Sequence, residues 1–240
     1  MKNTLFLLFL SFVLSIFLAP VSLAQDDDDF FIFDEEEEEI KEVADPLEPF
    51  NRAMFTFNDK LYRGVLKPVA IGYRRVPEPA RISVSNFLDN LETPVSSVNA
   101  LVQLDIKNAV TESSRFLINS TIGLFGLFDP ATKMGLERET EDLGQTLGRY
   151  GVGHGFYLVL PLSGPSSLRD GISRVGNNIR ANPMLDDLSN GDFIVLRLID
   201  AETALSLDQD SYEAFYESAL DPYIFFRSSY IQRRDAQVAQ

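Results

Sequence analysis

Apolar side chains return at helical spacing in one segment after another, and this periodicity constrains the fold more than any other feature. Phe50, Met54, Phe57, Leu61 and Val65 are separated by four, three, four and four residues, with Phe55 and Tyr62 flanking them. That spacing predicts a helix with a broad apolar face. Leu88, Leu91, Val95, Val98 and Val102 form a second stripe across Pro94, where a fresh start or a kink is expected. Ile106, Val110 and Leu117 follow Asp105, and Ile194, Leu198, Ala201 and Leu205 follow Asp192. Tyr212, Phe215, Tyr216 and Ala219 lie between Asp210 and Asp221-Pro222. Alternation of period two is scarce, and no internal repeat stands out. The expected fold class is all-α.

Structure should open at DPLEPFNR, residues 45–52. Asp45 can cap a helix, Pro46 suits its first position, and Glu48 can complete a capping box. Pro49 lacks the amide that would bond back to the cap, so the first turn is expected to be a separate elbow.

Two stretches break the amphipathic pattern. FLINSTIGLFGLF, residues 116–128, carries no charge. It is too short to cross a bilayer as one helix, which leaves a buried or an interfacial segment. Phe116, Leu117, Leu124, Phe125, Leu127 and Phe128 are therefore candidates for membrane contact. FYLVLPL, residues 156–162, is a second apolar run, and it follows glycines 144, 148, 151, 153 and 155. Core burial accounts for either run alone; together, in an exported chain, they point toward lipid.

Export is read from residues 1–24. Lys2 precedes an apolar run, Leu5 to Leu18, broken only by Ser11 and Ser15. Pro20 follows, then Ser22 and Ala24 at the −3 and −1 positions of a cut before Gln25. This is the signal-peptide pattern, favoured over an uncleaved anchor by Pro20 and the small residues. Residues 25–44 read as a disordered acidic tail, with ten carboxylates in residues 26–39 directly flanking Phe30, Phe31, Ile32 and Phe33. The net charge of −15 is concentrated there: residues 26–48 hold 13 acidic side chains and one basic. From Pro49 onward, 23 acidic residues face 19 basic ones, and a nucleic-acid partner is not expected from so balanced a body.

Little of the composition suits catalysis. No cysteine is present, which removes disulfides, thiolate metal sites, a cysteine nucleophile and a lipid attached through an N-terminal cysteine. His154 is the single histidine. Ser163 and Ser166 follow it, but neither sits in a GxSxG elbow, so an exposed loop histidine is the expectation over an esterase triad. Gly151-Val152-Gly153-His154-Gly155 misses a dinucleotide fingerprint, because Phe156 stands where a glycine is needed. Asp186, Asp187, Asp208 and Asp210 match no ion-binding loop and are expected to be solvated helix ends. No metal and no cofactor is expected.

Several motifs together resemble a known family. DPLEPFNR (45–52), FN (57–58), LKPVA (66–70), VPEPAR (76–81), SNFLDNLETP (85–94) and FLINSTIGLFGLFDPA (116–131) are similar, in order, to blocks of the MlaA/VacJ family. EDLGQTLGRYGVGHGFYLVLPLSGPSSLRDG (141–171) and DPYIFFRSSYIQRR (221–234) extend the resemblance over residues 45–234, with 172–220 the weakest part and 235–240 left as a tail.

The resemblance implies amphipathic helices arranged as a ring around a central lipid channel on the periplasmic side of the outer membrane. It implies a non-enzymatic role: removal of mislocalised phospholipid from the outer leaflet and delivery to a soluble periplasmic carrier, beside a trimeric porin. It makes the segment holding Gly144, Gly148, Arg149, Tyr150, Gly151 and Gly153 a hairpin that gates the channel, and it places Phe50, Asn51, Phe57 and Asn58 on the N-terminal helix. Many members carry a lipidated cysteine after the signal; Ala24-Gln25 occupy that region here. The alternative is a soluble periplasmic lipid-binding or porin-docking scaffold without a channel.

Overall fold

An elbow at Pro46-Leu47 leads into α1, Glu48–Leu61, in the computed structural model, which describes residues 44–180, 189–208 and 210–240. The signal peptide, all of the acidic tail but Ala44, and Asp186 and Asp187 lie outside the described residues. The elbow is as expected, but the capping box is not formed. Leu47 holds the cap position without a side-chain bond. Asp45 instead turns inward, accepting from Asn51 Nδ2 at 2.7 Å, from the Tyr223 hydroxyl and from an Arg227 guanidinium nitrogen at 3.1 Å.

A wide π turn, Tyr62–Leu66, joins α1 to α2, Lys67–Tyr73. Pro68 supplies no N–H and its ring crowds the carbonyl one turn earlier, so a widened turn is the local remedy. By contrast, α3, Glu78–Val102, runs through Pro94 without a fresh start. Asp105 then caps α4, Ile106–Thr121, accepting the Asn108 amide at 3.0 Å. Short helices α5, Pro130–Lys133, and α6, Leu143–Arg149, are capped in the same way by Asp129 and Asp142.

Strands β1, Tyr157–Leu160, and β2, Gly164–Ser167, form an antiparallel hairpin. Four helices follow: α7, Leu168–Arg180; α8, Asn190–Leu207; α9, Ser211–Ser218; and α10, Pro222–Ala239. Ser189 caps α8 through a reciprocal box with Asp192, which is therefore the third helical residue. Because α10 continues to Ala239, residues 235–240 are no separate tail. The fold is helical as expected, with one small hairpin added.

The hairpin sits at the centre of the apolar core. Tyr157, Val159, Tyr223, Tyr230 and Ile231 are buried together, and Met54, Phe55 and Ile224 pack on them. The outer edge of β1 would leave unpaired peptide groups. Two asparagines of α1 cover it. Asn51 Nδ2 donates to the Tyr157 carbonyl at 3.0 Å and its Oδ1 accepts the Val159 amide at 2.9 Å. Asn58 repeats the clamp on the Leu160 carbonyl and the Leu162 amide, each at 2.9 Å. Seven helical residues advance about 10.5 Å and three strand residues about 10 Å, so the two side chains meet the strand in register. This rotates α1: Asn51 and Asn58 face inward beside Met54, and Phe50, Phe57 and Val65 of the expected apolar face are exposed.

Candidate functional site: an apolar shell around a polar interior

The rotation of α1 becomes a reversal along the other long helices. On α3, Ser83, Asn90, Thr93, Ser96, Ser97 and Asn99 are buried, while Val98, Leu101 and Val102 are exposed. On α4, Asn108, Glu112, Arg115 and Asn119 are buried, while Ile106, Val110 and Leu117 are exposed. Thr203 and Ser206 are buried on α8, with Ile194, Val195 and Leu198 outside. A water-soluble bundle places such stripes the other way round. The buried set on α4 was visible in sequence as polar residues spaced four, three and four apart, the same period as its apolar stripe.

Inside, the polar groups are tied to one another and to backbone. Arg115 reaches Thr132 Oγ1 at 2.9 Å, Asp129 at 2.8 Å and the Leu136 carbonyl. Burial alone would raise the Asp129 pKa, but bonds from Thr132, Arg115 and Asn119 hold it at about 2. Asp89 pairs with Arg138 at 2.8 Å, and Arg197 pairs with Glu92 and, at 3.7 Å, with Asp200. Desolvation raises the pKa of Asp89 and of Asp200 although both side chains stay about two-fifths exposed.

Glu112 is fully buried; its Oε1 accepts the Glu139 amide at 3.2 Å and its Oε2 has no partner. Burial raises its pKa, a rise only partly offset by the Glu139 amide bond and then by Arg115 and Arg138. A raised carboxylate stabilises the fold below its unfolded pKa, and that contribution is lost as pH rises through the folded value. Glu112→Gln, which mimics the neutral acid, is expected to melt like the parent at pH 4 and roughly 2–4 °C higher at pH 8, the shift of about 1 kcal/mol in a domain of this size. Scanning calorimetry at the two pH values checks this; a lower melting point at pH 8 would mean that the charge is needed.

The uncharged run divides between the two environments. Its first half belongs to α4, and residues 122–128 form a turn in which Leu124, Phe125 and Gly126 all have positive φ. Leu117, Leu124, Phe125 and Phe128 are exposed, Phe125 by 69%, and Phe116 is half-buried. Leu127 is a correction: it is buried and cannot make a membrane contact. Left-handed backbone costs a non-glycine residue about 1–2 kcal/mol and usually recruits glycine or asparagine. Here exposed Leu104, Leu124, Phe125 and Leu162 occupy it instead. Strained turns tipped with large apolar side chains are poorly suited to water.

The glycine-rich segment is also corrected. It is not a hairpin: residues 143–149 are α6, and the hairpin comes after it. Gly144 and Gly148 are there for close packing. A Cβ at Gly144 would lie 2.4 Å from Asp170 Oδ1, and one at Gly148 would lie 2.7 Å from an Arg169 nitrogen. Gly151, at φ +86°, closes α6 in a Schellman turn, with Val152 bonding the Leu147 carbonyl at 3.0 Å and Gly151 that of Gly148 at 2.9 Å. Arg149 is half-buried, Tyr150 is exposed with its hydroxyl on the Val102 carbonyl at 2.5 Å, and a Cβ at Gly153 would meet open space.

The remaining chemical candidates have other partners. His154 is nearly buried rather than loop-exposed, its Nε2 2.8 Å from Asp235. Ser166 is buried and directs its hydroxyl to the Ser167 carbonyl at 3.4 Å. Asp208 bonds Ser211, and Asp210 pairs with Arg74 and Lys67. Among the described residues no cluster could hold a metal ion, and no helix is long and apolar enough to cross a membrane.

A helical protein with polar residues inside and apolar residues outside is the class these features define. Comparison with known proteins gives that class a family. The family model described as MlaA lipoprotein matches residues 43–237. The intermembrane phospholipid transport system lipoprotein MlaA of Escherichia coli is 38% identical over 201 residues, covering 80% of this chain and 77% of the relative. Its Haemophilus influenzae counterpart is 32% identical over 205 residues, covering 83% and 81%. An uncharacterised protein of Rickettsia typhi is 36% identical over 202 residues, covering 82% and 79%. A solved structure concerned with the structural basis for maintenance of bacterial outer membrane lipid asymmetry superposes with a TM-score of 0.73 at 38% identity, covering 81% of this chain and 99% of its own. The chain belongs to the MlaA family.

Proposed function

We propose that this chain transports phospholipid without catalysing a reaction, taking mislocalised lipid from the outer leaflet of the outer membrane to a soluble periplasmic carrier. In this reading the helices form a ring on the periplasmic side, beside a trimeric porin. The observation that carries it is the reversed burial of α3, α4 and α8 in a member of the MlaA family. Amphipathic helices can seat in a lipid interface through their apolar faces. Polar side chains directed inward then lower the cost of moving a charged headgroup past acyl chains. The exposed stripes also weigh against a soluble scaffold, which would leave extensive apolar surface in water.

The test uses Gram-negative cells lacking their own copy. Restoring the full chain is expected to return surface-labelled phospholipid to the parental level, with the lipid recovered intact in deeper membranes. Unchanged surface lipid would overturn transport, and lysolipid formed in step with its clearance would overturn the non-enzymatic reading.

A further inference from the structure

The wall made by α8 is fastened differently at its two ends. It packs on α2 and α3 and runs antiparallel to α3. Near its C-terminal end the bonds go to backbone. Buried Arg81 of α3 donates to the Ser206 carbonyl. Arg74, at the end of α2, donates to the carbonyls of Asp208 at 2.6 Å and Leu205 at 3.4 Å. About 14 Å further up α8, Arg197 instead meets Glu92 of α3 at 2.5 Å, with both side chains more than two-fifths exposed. An exposed ion pair contributes about 0–1 kcal/mol, because water and salt compete for both partners. The helix is pinned at one end and latched at the other.

Three observations favour an opening at the latched end. Midway along α8, Glu202 Oε2 and Thr203 Oγ1 are buried with no partner among the described residues. Each buried polar atom left unbonded costs about 1–3 kcal/mol, which water admitted between the helices would relieve. Ile194, Val195 and Leu198 are exposed already, so an outward swing uncovers little apolar surface. The latch also has alternative partners: Asp200 lies 3.7 Å from Arg197, and Asp89 pairs with Arg138 one turn from Glu92. Desolvation raises the Asp200 pKa; Glu92 and Asp89 raise it further, while Arg197 and Arg138 oppose them. The five groups therefore act on one another across the seam. On leaving Glu92, Arg197 keeps Asp200, which travels on the same helix.

We propose that α8 swings outward from α3 about its Arg74 and Arg81 attachments, with Glu92 and Arg197 as the latch, and that this motion widens the polar interior during transport. The motion stands on the packing of α8; its use in transport rests on the reading above.

Spin-label distances measure the motion in the full chain, in vesicles of phosphatidylethanolamine and phosphatidylglycerol. Val98→Cys with Val195→Cys spans the latched end, and Ile82→Cys with Ala204→Cys spans the pinned end. All four positions are exposed, and the parent chain has no cysteine. A second, longer distance is expected at the latched end, against one distance at the pinned end. Arg197→Gln should raise the ratio of longer to shorter distance about fivefold, the factor for a pair worth about 1 kcal/mol. Latched-end distances that Arg197→Gln leaves unaltered, or equal widening at both ends, would overturn the hinge. Glu92→Cys with Arg197→Cys, joined by a short bis-thiosulfonate cross-linker, tests the use of the motion. Clearance of surface phospholipid in cells is expected to be lost on cross-linking and to return on reduction. Undiminished clearance with the cross-link formed, or a loss that reduction does not reverse, would overturn that use. The transport reading falls separately, if the parent chain clears no lipid.

Discussion

Asp170→Ala is expected to yield a chain that does not fold at 37 °C. Asp170 is buried and joins α7 to α10 and α6. Arg234 of α10 bonds it through Nε at 2.8 Å and through a terminal nitrogen at 3.1 Å. The same guanidinium reaches Asp142, the cap of α6, at 2.8 and 3.0 Å. Arg169 adds a bond to Asp170 at 2.9 Å, and the Tyr230 hydroxyl adds another. Removing the carboxylate strands the buried Arg169 guanidinium and leaves Arg234 with Asp142 alone, a loss of about 3–5 kcal/mol and a large part of what holds a domain together. Burial by itself would raise the Asp170 pKa, yet the bonds from Arg169, Arg234 and Tyr230 bring it to about 2. Its stabilising contribution is therefore present above the unfolded value near 4 and is lost only as pH falls through about 2. Circular dichroism melts check the variant; a folded Asp170→Ala protein within about 1 kcal/mol of the parent would show that the network is dispensable.

The same network explains why glycine substitutions would be poor probes of a gate. Gly144 and Gly148 touch it directly, so valine at either position would displace Asp170, Arg169 or Val238 before any lipid was encountered. Glycines at this density are compatible with freedom of movement, as the gate implied by the resemblance would need. In the fold they allow close approach, which is the other reason for a glycine and cannot be told from the first without knowing the neighbours.

Helices were legible because their apolar period is local. Which way the stripes point was not, since periodicity defines two faces and only the surrounding medium decides which is buried. Val98, Val102, Val110 and Leu198 were found as stripe residues and lie on the outside; Asn108, Glu112 and Arg115 form the buried counterpart. The hairpin was missed for a different reason. Tyr157–Leu160 is continuously apolar instead of alternating, and its partner Gly164–Ser167 contains proline and glycine, which are depleted in strands. Its stability comes from Asn51 and Asn58, more than 100 positions earlier, and no local pattern announces a clamp of that kind.

Leu117→Asp combined with Phe125→Asp is expected to move the full chain from the membrane pellet to the soluble fraction without unfolding it. Both side chains project from the outer surface, Leu117 by 62% and Phe125 by 69%, so neither substitution opens a cavity. If the shell meets lipid, each change deletes apolar contact and sets a carboxylate at the interface. A combined cost of roughly 3 kcal/mol would shift partition by about a hundredfold. Leu127→Asp supplies the contrast: at 6% exposure it would place a charge in the interior and should unfold the chain. Fractionation together with circular dichroism separates the two outcomes. A folded double variant that stays wholly in the membrane would mean that the surface around residues 117–125 does not hold the protein there. Release of the folded double variant would instead assign the strained, apolar turn at Leu124 and Phe125 its physical role: its backbone cost is offset by insertion into lipid, which water could not provide.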